Sequence, residues 1–108
     1  YRDFKDHILK RTYGSEMRTE DDIRDAVDEH FDRIWHGRHQ LLAEMVRMGK
    51  DQVEPGIWKG ALKAAKRVER LYGKGNLGPY SDFEWGMING KLSALRWVMG
   101  DEWDMLDT

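Results

Sequence analysis

The chain has 108 residues, with 18 Lys and Arg against 20 Asp and Glu, a formal net charge of −2 and no cysteine. This length fits a single domain, and the near balance of charge argues against a protein whose whole surface attracts nucleic acid. The lack of cysteine excludes disulfides, thiolate metal sites and cysteine nucleophiles; with no apolar run of about 20 residues, we expect a cytoplasmic protein and no membrane partner.

Residues 1–16 permit two interpretations. Phe4, Ile8 and Leu9 would lie on the inner side of a helix, which favours a first helix. A Gly-Ser pair shortly before Met17 is typical of a cloning junction, which favours a foreign or fused segment instead. Under either interpretation we expect residues 17–108 to form one helical domain.

A long helix is predicted to begin after Thr19, because a hydroxyl N-cap is followed there by three acidic residues. Apolar residues then recur at helical spacing from Ile23 to Met48, and this pattern predicts one continuous inner face. Gly49 is expected to end the helix. Gly37 lies inside the apolar pattern, where it permits either close packing or a bend.

Arg38 is placed by the helical wheel in the middle of that apolar face. A buried guanidinium needs an ionic partner, for which Glu84, Asp101 and Asp104 are candidates. The alternative is that the side chain extends along the surface of the bundle into water.

The opposite, polar side of the first helix contains Asp32, His36 and His39, at spacings of four and three residues. One carboxylate and two imidazoles on one helix face could bind a metal ion, so a helical metal-binding protein is the third functional alternative. We favour a solvated face with local Asp-to-His pairs, because one helix rarely completes a metal site. His30, at the edge of the apolar face, is expected to be a hydrogen-bonded histidine at the core boundary.

A second helix is predicted from Pro55, which suits a first turn, to Gly73, which suits a C-terminal stop. The outer stripe of this helix is basic and consists of Lys59, Lys63, Lys66, Arg67 and Arg70. Phosphate backbones, an acidic protein surface or plain solvation would each favour such a stripe. Because the stripe has no interleaved aromatic residues, a nucleic-acid accessory protein is the second functional alternative and not the first.

The last long helix is predicted from Phe83 to Met99, with Ser81 or Asp82 as its N-cap. It is apolar on two opposite sides, a pattern typical of a central helix. Three small residues recur along one side at intervals of four: Gly86, Gly90 and Ala94. We therefore expect a neighbouring backbone to pack closely against Gly90.

Asn89, Ser93 and Arg96 form a narrow polar strip on the same helix. Arg96 could supply the two-pronged donor of a small anion or partner site, with the other two side chains orienting it. The alternative is a solvent-facing stripe on a helix that is otherwise buried.

The segment from Trp85 to Asp107, WGMINGKLSALRWVMGDEWDMLD, covers about a quarter of the chain. It resembles the C-terminal segment of small bacterial and phage proteins that have no assigned activity. The resemblance implies a bacterial or phage source and adds no catalytic residue.

We therefore predict an all-α fold, a small antiparallel bundle of three to four helices with the C-terminal helix at its centre. The sequence has no phosphate-binding glycine loop and no nucleophile elbow, so an enzyme is not favoured and no cofactor is expected. The leading functional hypothesis is a small helical interaction module that binds a protein partner or itself.

Overall fold

A computed structural model describes Lys5 and residues 16–103. Residues 16–103 contain three α-helices and one short 3-10 turn, namely α1 (Glu20–Arg47), α2 (Pro55–Tyr72), the turn Lys74–Asn76 and α3 (Asp82–Val98). The described part of the chain contains no β-strand, so the all-α class is confirmed. Of residues 1–16 only Lys5 and Glu16 are described, so the two interpretations of this segment stay predictions.

Local hydrogen bonds explain where α1 and α3 begin. The Thr19 hydroxyl accepts from the backbone N–H of Asp22 at 3.1 Å, and the Asp22 carboxylate accepts in return from the Thr19 N–H. Ser81 and Glu84 form the same reciprocal pair at α3. Each pair satisfies two amide groups that have no partner inside the helix, which confirms Thr19 as an N-cap and selects Ser81 over Asp82.

The predicted ends of α2 are also confirmed. Pro55 is the first helical residue, and the Glu54 carboxylate accepts from the N–H groups of Gly56 and Ile57 at 2.9 and 2.8 Å. These two backbone donors hold the pKa of Glu54 below its ordinary value. Gly73 follows the last turn with a φ of +85°, which glycine adopts without strain.

The central helix is α1. It contacts both other helices, whereas no Cα atoms of α2 and α3 lie within 8 Å of each other. The prediction of a central C-terminal helix is therefore wrong. The sense of α2 is antiparallel to α1, because Asp32 contacts Tyr72 at the end of α2 and His39 stacks on Trp58 near its start.

The core lies between the three helices and the segment that follows α2. The buried apolar residues of the described chain are Ile34, Ala65, Val68, Leu77 and Leu92. The predicted inner face of α1 is only partly covered, since Phe31 is 54% exposed and Leu41 is 69% exposed. Helical periodicity identified an apolar stripe, but the packing partners cover only part of it.

The space around the helical glycines shows where the helices pack closely and where the surface is open. A Cβ atom added at Gly37 would lie 2.7 Å from Cζ3 of Trp85, so α1 and α3 approach closely there. A Cβ atom at Gly86 or Gly90 would have no atom within 4 Å. The close-packing interpretation is thus right for Gly37 and wrong for Gly90, because α3 turns its small residues away from α1.

Candidate functional site

The inner side of α3 packs against α1. Leu92 is 1% exposed, and Trp85, Ile88 and Leu95 are half-buried. The indole of Trp85 lies over Gly37 at the point of closest approach. This side accounts for the attachment of α3 to the fold.

The opposite side of α3 is apolar and uncovered. This outer face consists of Phe83, Gly86, Met87, Gly90, Ala94, Trp97 and Val98. All seven are exposed, with Phe83 at 76% and Trp97 at 51%. At successive rotations of about 100° these positions fall within less than half of the helix circumference, so they form one continuous stripe. Contiguous apolar stripes of this kind mark interaction sites on folded proteins.

Two features extend and border the outer face. Trp103 packs edge-on against Trp97, with ring centroids 5.0 Å apart and an interplanar angle of 81°. A shallow groove runs along the Gly86 and Gly90 positions, with the charged residues Asp82 and Lys91 at its margins. The small residues therefore lower the centre of the stripe, and aromatic rings stand at both of its ends.

Two of the three side chains in the polar strip of α3 form hydrogen bonds within the chain. The Asn89 amide donates to the backbone oxygen of Trp85 at 2.8 Å, within the same helix. The Arg96 Nε donates to the Asp101 carboxylate at 2.7 Å. Ser93, which lies between Asn89 and Arg96 in the sequence, is half-buried. The guanidinium is already engaged by an acid of the same chain, which leaves less of it for an external anion.

Arg38 is exposed, so its burial in the apolar face, one of two predicted alternatives, is wrong. The position lies on a part of α1 that the other helices do not cover. Glu84 serves as a helix cap and Asp101 pairs with Arg96, while Asp104 lies outside the described residues. The alternative of a side chain at the surface agrees with the structure.

The acidic and histidine residues of α1 do not share one solvated face. His36 and His39 are 3% and 6% exposed, so the expectation that they face water is wrong. Asp32 accepts from the Tyr72 hydroxyl at 3.1 Å and lies 3.6 Å from Arg67. Among the described residues, no group of three or more His, Asp or Glu side chains is arranged to hold a metal ion.

Each histidine of α1 has separate surroundings. The His39 ring stacks between the indoles of Trp35 and Trp58, with centroids 5.1 Å away on each side. Burial lowers the pKa of His39 below 6.5, the nearby His36 lowers it further, and Glu69 partly offsets both. His30 Nδ1 lies 2.7 Å from the carbonyl oxygen of Ala26, which confirms a hydrogen-bonded histidine at the core boundary.

The basic stripe of α2 is at the surface as predicted, and all five side chains are exposed: Lys59, Lys63, Lys66, Arg67 and Arg70. Arg67 contributes an ion pair with Asp32 of α1. The stripe lies on a different helix from the outer face of α3, so the molecule presents two distinct surfaces.

Comparison of the chain with family models, curated proteins and solved structures gives no match. The bacterial or phage source implied by the C-terminal segment stays a prediction. Among the described residues, no helix is long and apolar enough to cross a membrane.

Sequence reasoning did not identify two features of this region. The four-residue spacing of Trp35 and His39 was a usable signal for stacking within α1, but the second indole, Trp58, comes from another helix. A pocket beside Gly37 is formed by α1, the segment after α2 and the start of α3. No local pattern marks the Tyr80 and Trp85 side chains as parts of its wall.

Proposed function

We propose that the protein is a small helical interaction module, and that the outer face of α3 binds a protein surface. The observation that supports this proposal is an uncovered apolar stripe that ends in exposed aromatic residues, Phe83 at one end and Trp97 at the other. Aromatic side chains contribute most to the stability of protein interfaces, and removal of such a stripe from water is favourable. The small residues between them let a partner helix approach the α3 backbone.

We propose a second copy of the chain as the first partner to test. In a two-fold symmetric pair the same apolar surface is buried on both subunits, so no other protein is needed. In an antiparallel pair centred on Gly90, Phe83 would face Trp97 of the second copy and Gly86 would face its Ala94. Such a pair would bring aromatic rings together at its two ends and small residues together near its centre.

Sedimentation velocity over a range of concentrations tests this function. We expect a species heavier than the 12.8 kDa monomer. Met87→Glu places a charge in the outer face and is expected to produce the monomer. Leu62→Glu on α2 is the matched control, because Leu62 is 44% exposed and Met87 is 46% exposed. If the wild type is a monomer at every concentration, self-association is excluded, and the partner must be a different protein.

Nucleic-acid binding is the second candidate, and the exposure of all five cations of the α2 stripe favours it. Retention on immobilised duplex DNA at low salt, lost as salt rises, would support it. Lys59→Gln with Lys63→Gln should then reduce retention, and Lys91→Gln on α3 is the control. Absence of retention by the wild type at low salt would eliminate this candidate.

A further inference from the structure

A pocket of about 500 Å³ lies between α1, the segment after α2 and the start of α3. His36 and Gly37 contribute to its wall from α1, Leu77 and Tyr80 from the connecting segment, and Trp85 from α3. Small-molecule sites are typically concave, mainly apolar and about 300 to 1,000 Å³ in volume, with a few polar groups. The pocket has these properties, and it lies outside the outer face of α3.

Hydrogen bonds and ring contacts anchor the connecting segment that contributes Leu77 and Tyr80 to the wall. The Arg33 guanidinium donates to the carbonyl oxygen of Asn76 at 2.8 Å and lies 5.2 Å from the centre of the Tyr72 ring. The Asn76 amide donates to the Tyr72 carbonyl oxygen at 2.9 Å. The rings of Tyr80 and Trp85 stack with centroids 5.9 Å apart. The connecting segment is therefore held against both α1 and α3.

A buried polar atom of this wall, Nδ1 of His36, has no hydrogen-bond partner within the described part of the chain. The Tyr80 hydroxyl, in contrast, lies beside the Arg33 guanidinium. His36 as a whole is 3% exposed. Buried polar groups are nearly always paired, because an unpaired group loses its hydrogen bonds to water without replacement. An unpaired buried polar atom in a pocket wall is a position at which a ligand group can supply the missing hydrogen bond.

The surroundings of His36 decide which hydrogen-bonding role its Nδ1 has. Nε2 of the ring lies 3.4 Å from a carboxylate oxygen of Glu69. A carboxylate only accepts, so Nε2 carries the hydrogen, and Nδ1 of the neutral ring is then an acceptor. The Gln40 amide, whose oxygen and nitrogen ends have the same shape, lies 3.4 Å from the same Nε2. A ligand that complements His36 must bring an O–H or N–H donor.

We infer that the pocket binds a small aromatic molecule with a hydroxyl group, which donates to Nδ1 of His36 while its ring lies against Tyr80 and Trp85. The rings of Tyr80 and Trp85 favour an aromatic ligand, and the unpaired acceptor suits a phenolic hydroxyl. Water does not reach Nδ1, so binding includes a small movement of the wall.

Phenol and toluene are the probes that test this inference, because they have nearly the same shape and only phenol has a donor. Nitrogen NMR of the full chain with labelled histidine should show a saturable shift of the His36 ring on addition of phenol. His30, which contacts the Ala26 carbonyl oxygen, is the internal control and should not shift. We expect phenol to bind roughly tenfold more tightly than toluene, as one net hydrogen bond allows.

Variants separate this pocket from other apolar surfaces. His36→Phe removes the acceptor and should equalise the affinities for phenol and toluene. Tyr80→Phe keeps the ring and should retain phenol binding, so it serves as the folded comparison if His36→Phe does not fold. Met87→Glu on the outer face of α3 should leave phenol binding unchanged. No saturable shift of His36, equal wild-type affinities for the two probes, or loss of phenol binding in Met87→Glu would each overturn the inference.

Discussion

The two apolar faces of α3 are built from similar residues and have opposite surroundings. On the inner face Leu92 is 1% exposed, whereas on the outer face Phe83 is 76% and Val98 is 55% exposed. The inner face packs on α1 at Gly37, and no described helix covers the outer face. A helix that is apolar on two sides therefore need not lie at the centre of a fold. One face can stabilise the monomer while the other is available to a partner.

The largest effect on stability is expected when a side chain on the inner face of α3 is shortened. Leu92→Ala should lower the free energy of unfolding by about 2 to 5 kcal/mol, because it removes apolar contacts and leaves a cavity. Val98→Ala on the outer face is the matched control and should change stability by less than about 0.5 kcal/mol. Urea denaturation measures both. Equal losses in the two variants would mean that the faces do not differ as described.

A smaller loss is expected where α1 meets α3. In Gly37→Ala the new methyl group would lie 2.7 Å from the Trp85 ring. Overpacking costs about 1 to 3 kcal/mol, which outweighs the roughly 1 kcal/mol that alanine gains over glycine in a helix. We expect a net decrease in the urea midpoint together with a changed Trp fluorescence spectrum. An increase in stability would show that the indole moves aside without cost.

The same substitution on the outer face should have the opposite sign. Gly90→Ala meets no atom within 4 Å, so only the helix propensity changes, and stability should rise by about 0.5 to 1 kcal/mol. The denaturation should be measured at low protein concentration, so that self-association does not contribute. Destabilisation of the monomer would place an unseen neighbour against Gly90 and remove the difference between the two glycines.

The smallest effect on stability is expected when the pH is lowered, because His39 is buried between α1 and α2. Burial lowers the pKa of His39 below 6.5, with a further decrease from His36 and a partial offset from Glu69. Protonation therefore favours the unfolded chain, so stability is highest above pH 6.5 and falls as the pH drops through the lowered folded-state value. His39→Phe keeps a ring between the two indoles and should show a flatter decline between about pH 7 and about pH 5. Identical pH profiles would exclude His39 as the titrating group.

The helix boundaries could be read from the sequence because they depend on neighbouring residues. The Thr19 cap, the Pro55 start and the Gly73 stop each involve hydrogen bonds or a φ angle within one turn of the helix end. Such interactions form in the same way whatever lies on the far side of the helix. The all-α class followed from these boundaries and from the apolar spacing between them.

Only the tertiary structure decided which surfaces are covered. Periodicity placed apolar residues on both sides of α3 and polar residues around His36 and His39, but burial depends on the element that packs against each side. Trp58 of α2 buries His39, and Trp85 of α3 closes on Gly37, although neither contact has a local signal. Gly37 and Gly90 are both glycines in the interior of an α-helix. They differ because Gly37 faces Trp85 of the neighbouring helix, whereas a Cβ atom added at Gly90 would meet no atom within 4 Å.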